Sequence, residues 1–214
     1  ADAAVSYSAK PPDRVEITTS AYRLAVAKKD GALLHLLDRR SGKRLWRGSK
    51  YGCLWFAAID LAGCKSPVSY SWRAPTLTLR WKDATATLTA GERSFDLQLT
   101  LDNHTGKTIE RVYFPSDLVF DVSAARAGYA PNWLPGVRLR KGFFVRHSDA
   151  VYVYPSRWAF MDWLGLELEG GSVAVYTVNP PPNPIRPAFL GFLHTPAPDA
   201  CSGRAFCLRH AYET

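Results

Sequence analysis

The chain of 214 residues is 47% hydrophobic and 13% aromatic, which provides a packed core and excludes a disordered chain. Its formal net charge is +8, which leaves an acidic partner open as one interpretation. No run of residues approaches the roughly 20 unbroken apolar residues that a membrane-spanning helix needs, so we expect no membrane span. The length suits a single β-sandwich domain over residues 1–214.

Strand patterns dominate the chain, with apolar and polar residues alternating at a period of two. The first come at Val15–Thr18, Tyr22–Val26 and Leu33–Leu37, and the Asp30-Gly31 turn separates the last two. Further strands are predicted at 45–46, 77–81, 95–101, 137–145, 150–154, 163–169, 172–178, 189–194 and 205–212.

Helical periodicity is weak throughout. Only Ser123–Ala127 is predicted to form a short helical turn, and the five prolines within 180–187 predict an extended loop. Many short strands with tight turns are typical of antiparallel stacks. The predicted fold class is therefore all-β: a large antiparallel two-sheet β-sandwich, of supersandwich size, with very little helix.

The four cysteines form two local pairs in the sequence, Cys53 with Cys64 and Cys201 with Cys207. Short loops between paired cysteines suit hairpin disulfides in an oxidising compartment, so the pattern predicts a secreted or extracellular protein. Four reduced thiols are the alternative. The sequence contains no signal-peptide pattern, and residues 1–4 look like the cut end of a processed or trimmed chain.

Basic residues gather in two stretches, six between Arg39 and Lys50 and four between Arg138 and Arg146. Alternation with apolar residues on a strand turns such charges to solvent, so a solvated sheet surface is the simple interpretation. A face for an acidic glycan or an acidic neighbouring domain is the alternative. The sequence lacks RNA-recognition, helix-turn-helix and zinc-finger patterns, so we predict no nucleic-acid partner.

Known catalytic and cofactor motifs are absent from the sequence. It contains no G-x-G-x-x-G, G-x-x-x-x-G-K-[ST], H-E-x-x-H or G-x-S-x-G, and neither cysteine pair has C-x-x-C spacing. We therefore predict no cofactor and no metal. Glycosidic cleavage needs paired carboxylates, but nothing in the spacing of Asp149 and Asp162 singles them out. No catalytic residue is assigned.

Six of the seven tryptophans fall into two groups. Those in strand patterns are predicted to belong mostly to the core: Trp46, Trp55, Trp72 and Trp81. Two others, Trp133 and Trp158, lie in loop-like segments marked by proline and glycine. An exposed indole stacks on the flat C–H face of a sugar, while polar neighbours bond its hydroxyls.

A carbohydrate site is therefore predicted around these two loop tryptophans. Its members are Trp133 and Trp158 with Asn132, Arg157 and Asp162. The alternative is that both rings simply cap the end of the sandwich. The expected partner under the first interpretation is a carbohydrate.

Three blocks of the sequence resemble the galactose-mutarotase-like β-supersandwich. Residues 15–24 and 29–43 are similar to its opening hairpins, written x-x-G-x-L-x-x-L-x-D-x-x-(S/T)-G. Residues 101–115 resemble a middle hairpin, and 154–155 with 161–166 resemble a later strand. That fold forms the N-terminal β-domain of many glycoside hydrolases, in which a separate barrel carries the catalytic acids.

The resemblance implies a non-catalytic accessory or carbohydrate-binding domain of a secreted glycoside hydrolase. Such a domain contacts glycan or packs on a catalytic barrel, which would be a second partner. Two alternatives stay open. One is a small mutarotase-like epimerase or lyase acting on sugars, with arginine and histidine around a sheet face. The other is a binding module for acidic polysaccharide.

Overall fold

In a computed structural model the chain forms an antiparallel all-β sandwich with very little helix, which confirms the predicted fold class. The structure describes residues 5–49, 52–57, 67, 69–104, 106–107, 109, 111–116, 118–130, 137–145, 150–153, 163–176, 186–193 and 205–213. Only the backbone is described at 56, 111, 137, 144–145, 150–153, 186–193 and 205–213.

The strands of the described residues are, in chain order, β1 Ser6–Ser8, β2 Arg14–Thr18, β3 Tyr22–Ala27, β4 Leu33–Asp38, β5 Arg44–Trp46, β6 Gly48–Ser49, β7 Phe56–Ala57, β8 Ser69–Arg73, β9 Thr76–Arg80, β10 Ala84–Ala90, β11 Phe95–Leu101, β12 Arg111–Tyr113, β13 Leu118–Asp121, β14 Ala125–Ala130, β15 Val137–Arg140, β16 Ala150–Val153, β17 Trp163–Leu168, β18 Gly171–Tyr176, β19 Arg186–Leu193 and β20 Ala205–Glu213. A short helix, α1, spans Lys141–Val145, and a 3-10 turn spans Val122–Ala124.

These strands form four antiparallel hydrogen-bonded sheets, where the sequence pattern predicts two. The first sheet has the order β1-β2-β3-β4-β5 and the second the order β11-β10-β9-β8. The third runs β16-β19-β20-β12-β7, with β13 pairing both β20 and β6. The fourth runs β15-β14-β17-β18. The first two sheets are built from hairpin neighbours, whereas β20 ties the end of the chain to its middle through β12 and β13.

Period-two alternation explains why these residues form strands. Along β2, Val15 and Ile17 are buried while their neighbours point outward. Along β10, the inward positions hold alanines and Leu88, and the outward positions hold threonines. Alternate side chains of a strand point to opposite faces, so each such strand buries one face and leaves the other to solvent.

A shared hydrophobic core joins the sheets. The Trp46 ring of the first sheet packs edge-on against Phe95 of the second, with centroids 6.0 Å apart. The same ring packs edge-on against Phe120 of the third sheet at 6.4 Å, and Leu166 of the fourth sheet belongs to the same cluster. Burying one such side chain contributes roughly 1.5–3 kcal/mol, so this shared core is the main source of stability.

The four tryptophans predicted for the core belong to it, with one at the margin. Trp46, Trp55 and Trp81 are buried. Trp72 is half-buried and stacks on Tyr7 with ring centroids 4.8 Å apart. It lies on β8, an edge strand, so its ring closes the rim of the sandwich rather than its centre.

The prediction of one strand over 137–145 is wrong, because β15 ends at Arg140 and the chain continues as α1. Arg140 pairs with Ala127, which directly follows an irregularity in β14 at Arg126. The ladder therefore stops there, and the helix instead packs Phe143 against the core.

Two smaller predictions also need correction. The predicted helical turn at Ser123–Ala127 is a 3-10 turn that ends at Ala124, and β14 begins at Ala125. The predicted proline loop over 180–187 overlaps β19, which begins at Arg186; residues 180–185 lie outside the described residues. Pro187 lies beside a register shift in β19, a place where a missing backbone N–H is tolerated.

Candidate functional site

The predicted carbohydrate residues all fall in segments outside the described residues: Asn132, Trp133, Arg157, Trp158 and Asp162. The site they define therefore stays a prediction. In the sequence, these segments directly adjoin described strands of the fourth sheet. Residue 131 follows Ala130 at the end of β14, and Asp162 precedes Trp163 at the start of β17.

The same end of the fourth sheet carries aromatic side chains on its outer face. Tyr129 of β14 lies opposite Gly165 of β17, and Trp163 of β17 lies opposite Tyr176 of β18. Tyr176 is 60% exposed, while Tyr129 and Trp163 are half-buried. We call Tyr129, Trp163 and Tyr176 the aromatic platform. It brings together residues that are far apart in the sequence.

A glycine shapes the surface beneath the aromatic platform. A methyl group added at Gly165 would lie 3.0 Å from Cζ3 of Trp163 and 3.4 Å from Cβ of Tyr129. The missing side chain lets the indole lean across Gly165 toward the tyrosine. Ala174 pairs with Gly165 on β18, so the neighbouring position is small as well. The three platform side chains therefore surround a patch from which no side chain larger than a methyl group projects.

Hydrogen bonds fix the polar groups beside the platform. The Tyr129 hydroxyl donates to Oε2 of Glu167 at 3.1 Å. Nε of Arg138 donates to the same hydroxyl at 3.3 Å, and the guanidinium lies 5.9 Å from the Tyr129 ring centroid. A guanidinium, a phenol and a carboxylate are therefore linked in one row beside the exposed rings. Such a row offers donors and acceptors held in place before a ligand arrives.

The alternation of buried and outward residues along β17 is the sequence signal that reveals this surface. Leu164, Leu166 and Leu168 of β17 are buried, so the residues between them face outward. The outward set begins with Trp163 and includes Gly165 and Glu167. The prediction chose Trp133 and Trp158 because they lie in proline- and glycine-marked segments. Trp163, which faces outward, begins β17, the first described strand after Trp158.

A second polar cluster lies on the outer face of the first sheet. We call it the arginine–histidine cluster: Arg14, Glu16, Arg23, His35 and Arg44. Glu16 and His35 lie on either side of Ala25, which pairs with both of them. Nε of Arg14 donates to Oε1 of Glu16 at 2.9 Å. The methyl group of Ala25 separates the carboxylate from the imidazole.

The electrostatics of this cluster favour the neutral form of His35. Burial lowers the pKa of His35, and the positive charge of Arg44 lowers it further. Arg14 and Arg23 act in the same direction, whereas Glu16 raises the pKa of His35. A neutral imidazole is chemically able to accept a proton.

The first basic stretch, 39–50, is not one continuous charged face. Nη1 of Arg39 donates to the carbonyl of Thr19 at 2.6 Å. Lys43 pairs with Glu169 at 2.9 Å, and Arg47 pairs with Asp121 at 3.0 Å. Lys50 lies outside the described residues. Much of this stretch is therefore used to connect parts of the same chain.

Cys53 is buried and disulfide-bonded. The side chains of Cys64, Cys201 and Cys207 lie outside the described part of the chain, so both predicted pairs stay predictions. The hydroxyls of Ser49 and Ser116 both donate to the Cys53 carbonyl, which fixes this loop to the third sheet.

Two other features are absent from the described part of the chain. Its histidines, cysteines and carboxylates do not gather into a group that could hold a metal ion. None of its helices has the length and apolar character needed to cross a membrane.

No protein-family model and no curated protein matches this chain. Among solved structures, the crystal structure of HI1317 is similar over 98% of this chain and 93% of that one, with a TM-score of 0.52 and 7% identity. At that identity the likeness shows a shared fold only. A TPR-domain containing protein from Parabacteroides distasonis matches with a TM-score of 0.43 and 8% identity, and the chain spans 42% of its length.

Proposed function

We propose that this chain is a carbohydrate-binding β-sandwich domain that holds a saccharide against the aromatic platform. The observation that carries the proposal is the convergence of Tyr129, Trp163 and Tyr176 on one outer face, beside an ordered row of polar groups. The proposed setting is the one drawn from the sequence: an accessory domain of a secreted glycoside hydrolase, beside a catalytic barrel.

The chemistry of the platform suits a pyranose ring. The C–H faces of sugars pack on aromatic rings, and their hydroxyls need directional partners. Glu167 supplies acceptor oxygens, and Arg138 supplies N–H groups that are not used by its bond to Tyr129. Gly165 and Ala174 keep the floor between the rings low. Stacking and hydrogen bonding are therefore available on the same surface.

Removal of one exposed ring tests this proposal, and the chain offers a matched control. Tyr176 lies on the edge strand β18, and Tyr70, 41% exposed, lies on the edge strand β8. We expect Tyr176→Ala to weaken binding of an oligosaccharide about fivefold, because one ring contact contributes about 1 kcal/mol. Tyr70→Ala should leave binding unchanged. Isothermal titration calorimetry against a panel of neutral and acidic oligosaccharides measures both.

Two results would contradict the proposal. One is a folded wild-type protein that binds none of the oligosaccharides. The other is an equal loss of binding in Tyr176→Ala and Tyr70→Ala, since that would locate the effect outside the aromatic platform.

The second candidate function is a small sugar epimerase, and the arginine–histidine cluster favours it. His35, whose pKa is lowered by burial and by nearby arginines, can accept the proton of an anomeric hydroxyl in its neutral form. Glu16 stands across Ala25 from it. Polarimetry of freshly dissolved hexoses and hexuronic acids tests this candidate. Anomer interconversion faster than in buffer, lost in His35→Gln, would support it, and a rate equal to that of buffer would exclude it.

A further inference from the structure

Two arginines stand beside the aromatic platform on the edge strand β15. Arg138 and Arg140 are two residues apart, so both point to the outer face of the fourth sheet. Both side chains are exposed. Arg138 is oriented by its bond to the Tyr129 hydroxyl, and this bond uses only Nε. Its two terminal nitrogens therefore face outward with their donors available.

Arg140 has no acidic neighbour across the sheet. Its partner on β14 is Ala127, a buried methyl group, and Glu167 lies one strand further away. Among the described residues, neither Arg138 nor Arg140 takes part in an ion pair. The nearest acid of this face, Glu167, already accepts the Tyr129 hydroxyl.

Three basic residues elsewhere in the chain find partners within it. Lys43 and Arg47 pair with carboxylates, and Arg39 binds a backbone carbonyl. The positive charge of Arg138 and Arg140 is therefore left uncompensated next to exposed rings. A guanidinium binds carboxylate and sulfate oxygens through parallel N–H groups, so this edge is chemically suited to an anion.

We propose that the saccharide held on the aromatic platform is acidic, with its carboxylate or sulfate bound by Arg138 and Arg140. This proposal rests on the proposed function. The sugar ring packs on Trp163 and Tyr176, while the anionic substituent extends toward β15. Arg138 then bonds the ligand with its terminal nitrogens and keeps its own bond to Tyr129.

The test compares one sugar in a charged and an uncharged form. The probes are an oligogalacturonide, its fully methyl-esterified form and a sulfated galactan oligosaccharide, each titrated at two salt concentrations. The variants are Arg138→Gln with Arg140→Gln, and Trp163→Ala. The matched control is Arg73→Gln with Arg80→Gln, two exposed arginines on the outer face of the second sheet. Circular dichroism checks that each variant is folded.

We expect the wild-type protein to bind the charged oligogalacturonide or the sulfated probe at least tenfold more tightly than the ester. That preference should shrink as salt rises. The Arg138 and Arg140 double variant should bind acid and ester equally, the control pair should behave as wild type, and Trp163→Ala should weaken every probe. Preference for the oligogalacturonide identifies a carboxylate ligand, and preference for the galactan identifies a sulfate.

Three results would overturn the proposal. Equal wild-type affinity for acid and ester, with loss in Trp163→Ala, would refute the acidic ligand and leave the proposed function standing. Acid binding that depends on the arginines but not on Trp163 would refute saccharide stacking. Absence of binding to every probe, the neutral panel included, would refute both.

Discussion

The second and fourth sheets share one design on the inside and differ on the outside. Each has four antiparallel strands, and each turns a row of leucines into the common core. Leu77 and Leu79 do so in the second sheet, and Leu164 and Leu166 in the fourth. Their inner faces are chemically alike.

The outer face of the second sheet is hydroxylic, and we call it the hydroxyl face. Its hydroxyl-bearing residues are Ser69, Ser71, Thr76, Thr78, Thr85, Thr87, Thr89 and Thr100. Neighbours on adjacent strands bond one another, as Thr76 and Thr89 do with their hydroxyl oxygens 3.0 Å apart. Arg73, Arg80, Asp96 and Gln98 complete it. No aromatic side chain belongs to this face.

The difference between the two faces shows which positions of this fold are free of the demands of burial. Burial requires only that alternate residues be apolar, so both sheets meet that requirement in the same way. Residues at outward positions do not have to be apolar. Threonine, tyrosine and tryptophan all have high strand propensity, so propensity accounts for each of these residues singly. It does not account for three aromatic side chains gathered beside two arginines at one end of a sheet. Strand formation alone therefore does not explain why these aromatic side chains lie together in the aromatic platform.

The largest effect should come from the shared inner face. We expect Leu77→Ala and Leu166→Ala each to lower the free energy of unfolding by about 2–5 kcal/mol, because each leaves a cavity in a packed core. The two leucines are 0% and 1% exposed. Urea denaturation measures both values. A loss below about 1 kcal/mol in one variant alone would show that the two sheets do not depend equally on the core.

A smaller effect should follow from one methyl group on the outer face of the fourth sheet. Gly165→Ala places Cβ 3.0 Å from the Trp163 ring, so we expect the indole to move and saccharide affinity to fall about fivefold, or about 1 kcal/mol. Stability should change by no more than about 1 kcal/mol.

Calorimetry and urea denaturation separate these two effects of Gly165→Ala. Ser172→Ala, an exposed change on the same sheet, is the control and should leave affinity unchanged. A Gly165→Ala protein with wild-type affinity would show that the position of the indole does not matter for binding.

We expect the hydroxyl face to take no part in saccharide binding. We expect Thr78→Ala with Thr87→Ala, a directly paired couple, to leave saccharide affinity unchanged. Unfolding free energy should fall by less than about 1 kcal/mol, the range of strand propensities. Weaker saccharide binding in this double variant would break the comparison, since the second sheet would then also contact the ligand.

The smallest effect should appear on a third outer face, as a dependence of stability on pH. The pKa of His35 is lowered in the folded protein by burial, then by Arg44 and Arg14, with Arg23 adding to it and Glu16 opposing it. The unfolded chain therefore binds a proton more readily. The contribution of His35 is fully present above about pH 6.5 and declines as the pH falls below it.

Comparison of wild type with His35→Gln isolates this contribution. The unfolding free energy of wild type should fall more steeply between pH 7 and 5 than that of His35→Gln. His104→Gln, which removes a side chain that is 71% exposed, serves as the control. Identical slopes in wild type and His35→Gln would show that His35 titrates alike in the folded and unfolded chain.

Much of the fold follows from the sequence because alternation is a local property. The β2, β3 and β4 strands are read directly from their patterns, and the turn at Asp30-Gly31 separates two of them. Alternation cannot show where a ladder stops. The strand predicted over 137–145 ends at Arg140, since the pairing limit is set by an irregularity in another strand.

The aromatic platform could not be predicted as a unit. Tyr129, Trp163 and Tyr176 lie on three different strands, and only the register between those strands brings them together. The outward direction of Trp163 could be read from the parity of its strand, because leucines alternate with the outward residues. The positions of Tyr129 and Tyr176 beside it could not be predicted, because the spacing of residues along one strand does not determine their partners on the next strand.

The Trp55 and Trp81 pair gives the hydrophobic core a circular-dichroism signal of its own. The two buried rings lie with centroids 6.0 Å apart and planes at 87°. Indoles held this close in a fixed, non-parallel orientation couple their electronic transitions and produce a circular-dichroism couplet. Loss of that couplet would follow the melting of the interior, while the half-exposed Trp163 could report ligand through its fluorescence. One polypeptide thus carries separate spectroscopic markers for its interior and for its surface.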